Sequence, residues 1–106
     1  MTEKVVTLPV IATSEYTNSS RLIYSGPCIV KAVHVAGDGA NGDCQVYDGL
    51  NNLGTLKAHL EVLSGTTFAW LPGEGTDFDH GIYIAVNAST TKVTVTYIPE
   101  SRKAFI

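Results

Sequence analysis

Glu74, Asp77, Asp79 and His80 form the densest run of titratable side chains in the sequence. Carboxylates and an imidazole this close together could ligate a hard cation or share general acid and general base work. In an extended segment Asp77 and Asp79, two apart, point the same way. No partner ligand set elsewhere in the chain stands out, so a solvated loop is expected. Asp38-Gly39-Ala40-Asn41-Gly42-Asp43 has the composition of a calcium loop without its spacing. Counted from Asp38, the third, fifth and twelfth positions are Ala40, Gly42 and Gly49, which offer no side-chain oxygen. The segment is expected to be a hairpin turn.

The remaining reactive types are weaker still. His34 and His59 fall within strand-like segments, and three histidines without Cys or Glu at ligand spacing do not make a zinc site. There is no Gly-x-Ser-x-Gly elbow, and Ser64, His80 and Asp77 do not assemble into a triad on paper. Gly37, Gly39 and Gly42 precede no helix and cannot cradle a phosphate. Trp70 with Tyr83 and Tyr47 could stack on a sugar, although aromatic residues at strand spacing more often fill a core. The sequence therefore predicts no catalytic residue, no metal and no cofactor.

The elements that would position these side chains are strands. From Thr55 to Val62, Leu56, Ala58, Leu60 and Val62 alternate with Thr55, Lys57, His59 and Glu61, the pattern of a strand with one dry and one wet face. Asp48-Gly49 and Asn51-Asn52 tolerate tight backbone, so Cys44–Tyr47 and Thr55–Leu63 are expected to form a hairpin. Cys28 to Ala36 is apolar on both sides, with Ile29, Val33 and Val35 sharing a face with Lys31, which predicts a sandwiched or interfacial strand. Arg21–Tyr24 is a short strand closed by Ser25-Gly26-Pro27. Thr66–Leu71, Ile82–Val86 and Thr91–Ile98 complete the series, while Thr13–Ser20 is expected to be a loop and Phe78 to anchor another. About eight short strands with frequent turn signals predict an all-β antiparallel sandwich, a jelly roll first and an immunoglobulin-like Greek key second.

With 106 residues, one domain over 1–106 is expected, with an N-terminal arm at 1–12 and a C-terminal arm at 99–106. Lys4 to Ala12 is apolar and β-branched around Pro9, which suits an edge strand or an arm lying along a neighbour. Charged residues make up only 16% of the chain, well below an average soluble protein, which fits a molecule that rests against other protein. A net charge of −3 argues against gripping phosphate backbones, so nucleic acid is not an expected partner. No apolar run is long enough to span a membrane, and the start of the sequence lacks a signal core, so synthesis in the cytoplasm is expected. Cys28 and Cys44 are expected to stay as buried thiols. Ala104-Phe105-Ile106 follows a basic pair and gains nothing in water. It either packs on its own domain or reaches a neighbouring subunit.

Gly26-Pro27-Cys28-Ile29, Val46-Tyr47-Asp48-Gly49, Leu53-Gly54-Thr55-Leu56, Phe78 with Gly81-Ile82-Tyr83-Ile84, and Val93-Thr94-Val95-Thr96-Tyr97 succeed one another in an order that resembles a group of small tailed-bacteriophage virion proteins. The likeness spans about residues 22–98. It implies a capsid decoration or cement protein, a β-sandwich or jelly-roll module that forms dimers or trimers and clamps the major capsid protein lattice on the virion surface. A tail or connector component is the alternative within the virion, and a carbohydrate-binding sandwich the alternative outside it. No catalytic residue comes with the resemblance. The expected interface comprises Val5, Leu8, Val10, Ile29, Val33, Val35, Ala104, Phe105 and Ile106.

Overall fold

The computed structural model describes residues 12–99, so the expected arms apart from Ala12 and Pro99, and with them Val5, Leu8, Val10, Ala104, Phe105 and Ile106, lie outside the described residues. Among the described residues there are nine strands: β1 (Thr13–Thr17), β2 (Arg21–Ser25), β3 (Cys28–Gly37), β4 (Gly42–Asp48), β5 (Thr55–Val62), β6 (Thr67–Trp70), β7 (Thr76–Phe78), β8 (Gly81–Val86) and β9 (Thr91–Pro99). They build two antiparallel sheets. The first has the order β1-β9-β3-β6, with β7 also pairing β3, and the second has the order β2-β8-β4-β5.

The winding is set by these pairings. β6 takes Val33 to Ala36 of β3 and β7 takes Cys28 to Val30, so the two are halves of one edge strand broken at Leu71–Gly75. With that strand counted once, the first strand pairs the last, the second the second-last, the third the third-last, and β4 pairs β5. A long antiparallel ribbon rolled up in this way is the jelly roll, and the immunoglobulin-like order is ruled out.

The core lies between the sheets. Val30, Val33, Val35, Val93 and Val95 from the first sheet meet Cys44, Val46, Ile82 and Ile84 from the second, all fully buried. Each such aliphatic side chain contributes about 1.5–3 kcal/mol by leaving water. β8 and β9 keep the alternation expected of them.

Several expectations are corrected. Thr13–Ser20 carries β1 rather than a loop, pairing β9 from Thr13↔Tyr97 to Thr17↔Val93. An edge strand needs a ladder on one side only, and Ser14 Oγ and Thr96 Oγ1 share a hydrogen bond of 3.0 Å, so little hydropathy marks it. Gly37–Asp43 is not a hairpin turn, because it leads from β3 in one sheet to β4 in the other. Glycine and Asp place a break in the chain but do not say which strand the next one will join. Phe78 belongs to β7 and is buried in the core.

β3 departs furthest from expectation. Its register with β9 shifts between Val30 and Ala32, so one extra residue sits in the strand at Lys31. A bulge reverses the facing of the residues beyond it. Val33 and Val35 therefore join Val30 in the core, fully buried, and are not part of the exposed surface that an interface would use. Ile29 is half-buried.

Two glycines hold the end of the sandwich where β8 begins. Gly81 has φ 155°, and a Cβ there would lie 2.5 Å from the Tyr24 carbonyl oxygen. Gly75 has φ 115°, and a Cβ would lie 2.5 Å from Ile29 Cγ2, so the Leu71–Gly75 excursion lies against β3 only because this position lacks a side chain. Lys31 Nζ fastens the same excursion by donating to the Glu74 carbonyl at 2.7 Å.

Candidate functional site

The outward face of the second sheet carries the most organised set of exposed side chains. Leu22 on β2 stands opposite Tyr83 on β8, Tyr83 opposite Tyr47 on β4, and Tyr47 opposite Leu56 on β5. Directly opposed residues share a face, so these four make one row across all four strands. Leu22 and Leu56 are 36% and 50% exposed, and the tyrosine rings between them lie 6.5 Å apart at 55°. The Tyr47 hydroxyl donates to Gln45 Oε1 at 2.8 Å, two residues back along β4.

Leu56 reaches this face through a second bulge. Val46 pairs Ala58 but Tyr47 pairs Leu56, leaving Lys57 as the extra residue. Ala58, Leu60 and Val62 keep the dry face expected of them, whereas Leu56 is displaced to the wet one. Lys57 Nζ lies 5.7 Å from the centre of the Phe78 ring, a cation–π contact at the edge of the core.

Farther along the same face the chemistry changes sign. Asp43 stands opposite Glu61, and His59 Nε2 lies 2.8 Å from Asp43 Oδ1 and 3.6 Å from Glu61 Oε2. The imidazole Nε2 thus lies beside two carboxylates that stand directly opposite each other on the ladder. One donor atom from each residue lies within 4.8 Å of the others, a set that zinc-type ions accept. All three side chains are substantially exposed, from 37% to 71%, and their donor atoms are already engaged with one another. Beside them is a shallow depression of about 410 Å³ lined by Asn41, Gly42, Asp43, Glu61, Val62, Leu63 and Asn87. Alternation already sets His59 and Glu61 on one face of β5, but only the β4–β5 register brings Asp43 to them.

The acidic run that stood out in the sequence plays a different part. Asp77 lies in β7 opposite Ile29, while Asp79 and His80 form the turn before β8. The organising group there is Asp48, which is buried and accepts the Asp79 N–H at Oδ2 and the His80 N–H at Oδ1, both at 2.9 Å. Burial alone would raise its pKa, but the N–H groups of Asp79, His80 and Gly81, with the nearby His80 ring, hold it below the usual aspartate value. Ser64 adjoins Gly37 at one end of the sandwich while Asp77 and His80 sit at the other, so the three form no triad. Cys28 and Cys44 are buried and form no disulfide, and burial, with Asp43 beside it, pushes the Cys44 thiol up to about 12.

Of the three aromatics expected to make a sugar platform, Tyr47 and Tyr83 come together and Trp70 does not. Trp70 is in β6 of the other sheet, opposite Val33, and packs against the core. No protein-family model matches the chain, and no curated protein is significantly similar to it.

Proposed function

We propose that this chain is a non-enzymatic structural protein of a tailed-phage particle, a decoration or cement module that self-associates and binds the major capsid protein lattice. The observation that carries this reading is the Leu22–Tyr83–Tyr47–Leu56 row, an apolar and aromatic stripe across a sheet face that nothing in the described chain covers. Paired tyrosines between aliphatic residues are the composition of an interface centre. The low charge content and the sequence resemblance point the same way. A module that binds only the assembled lattice stabilises it by mass action, in proportion to RT ln(1+[L]/Kd) at each site. The test is to add the purified chain to capsids that lack it and measure stoichiometry and capsid melting temperature. Stoichiometric binding with a raised melting temperature, lost in Tyr83→Glu while the circular dichroism spectrum is kept, is expected. Absence of binding by the wild-type chain removes the capsid role.

The Tyr47–Tyr83 pair alone favours a second reading, a glycan-binding sandwich in which a sugar ring stacks on the tyrosines. Titration with oligosaccharides followed by tyrosine fluorescence separates the two. A saturable change lost in Tyr83→Ala, with no capsid binding, would establish the glycan reading in place of the first.

A further inference from the structure

The outer face of the second sheet has a direction. Its apolar row runs through Tyr47, and its carboxylates, Asp43 and Glu61, lie four residues farther along β4, about 13 Å away at strand spacing. Among the described residues no lysine or arginine pairs with these two acids, whose side-chain neighbour is His59. The described cations are engaged elsewhere: Arg21 with Glu15, Lys31 with the Glu74 carbonyl, Lys57 over Phe78, and Lys92 with the Ser89 carbonyl. The complement of this face is a segment that is cationic at one end and apolar at the other, over about four residues.

Arg102-Lys103-Ala104-Phe105-Ile106 is such a segment, with a basic pair set three residues ahead of an apolar pair, about 10 Å in an extended chain. We propose that residues 102–106 of one copy dock on the outer sheet face of a second copy. Arg102 and Lys103 then meet Asp43 and Glu61, and Phe105 and Ile106 cover the Leu22–Tyr83–Tyr47–Leu56 row. This deepens, and rests on, the reading of the chain as a self-associating structural protein.

Order along the chain selects a second copy over the chain's own face. β9 delivers Pro99 opposite Cys28, at the end of the sandwich where Asp48 and the apolar row also lie. A segment turning back from there meets the apolar row first, with its basic pair, and the carboxylates last, with Phe105 and Ile106. That is the mismatched order. A neighbour approaching from the opposite end meets acids with bases and leucines with phenylalanine. Because segment and face are different patches, the contact forms either a reciprocal two-fold pair or, head to tail, a ring or an open chain.

The test is a charge swap in the full chain, read by sedimentation velocity over a concentration series with circular dichroism as a fold control. Asp43→Lys with Glu61→Lys, and separately Arg102→Glu with Lys103→Glu, are each expected to weaken self-association by about tenfold or more. All four changes in one chain, or an equimolar mixture of the two variants, should restore it. A wild-type chain that stays monomeric at high concentration, variants that associate like wild type, or a swap that fails to restore association would each overturn the proposal. Should the face variant not fold, the Arg102/Lys103 variant decides alone, and unchanged association there is fatal. Capsid binding is measured on the same samples: a monomer that binds capsids removes this inference and leaves the capsid role, whereas a swap-dependent oligomer that ignores capsids does the reverse.

Discussion

Asp48 shows how one side chain can be the hinge of a site without being reactive. Its buried carboxylate holds the backbone N–H groups of the turn that opens β8, and so fixes Gly81 and the Tyr83 beyond it. Replacing it by Asn turns one acceptor into a donor facing an N–H, and Asp48→Asn is expected to cost about 1–3 kcal/mol in urea unfolding. The pH dependence is dictated by the direction of the shift. A carboxylate held below its unfolded value of about 3.9 stabilises the fold fully above that pH, and the contribution is lost as pH falls through the lower folded value. Acid unfolding of Asp48→Asn should therefore be flatter below about pH 4 than that of the wild type, and an identical acid limb would refute this role. In sequence Asp48 reads only as a turn residue before Gly49, because its partners lie 31 and 32 residues away. The Glu74–His80 run attracts notice for its side chains, yet its contribution to this contact is largely backbone N–H.

At the level of strands, period-two patterning is a reliable guide wherever a strand is regular. β8, β9 and the β4–β5 hairpin fall where alternation and turn residues put them. It fails where one residue is inserted, at Lys31 and at Lys57, because a bulge leaves composition untouched while reversing which residues are dry. It also fails for β1, a polar edge strand, and for β7, three residues long with one buried side chain. The β5 bulge makes a quantitative claim. Leu56→Ser should change stability by less than about 0.5 kcal/mol, as for an exposed site, whereas Leu60→Ala should cost about 2–4 kcal/mol. Equal costs in chemical denaturation would mean that the strand alternates without interruption.

For the molecule as a whole, the candidate site is a product of register. Leu22, Tyr47, Leu56 and Tyr83 are far apart in sequence and fall in line only because four strands pair as they do. The low charge content and the resemblance point to a protein surface but not to which face would serve. The strand segment expected to supply the interface, around Val33 and Val35, fills the core instead.

The rolled-ribbon winding also sets how this chain must fold. Among the strand pairings of the described residues only β4–β5 joins neighbours in sequence, across a six-residue link, while β1 must find β9 some eighty residues away. Loop closure is cheap for the first and costly for the last, so the central hairpin is the natural nucleus and the outer strands zip on afterwards, on a time scale of about milliseconds to seconds. Destabilising changes in β4–β5 should slow refolding, and those in β1 should chiefly speed unfolding, as stopped-flow kinetics would reveal.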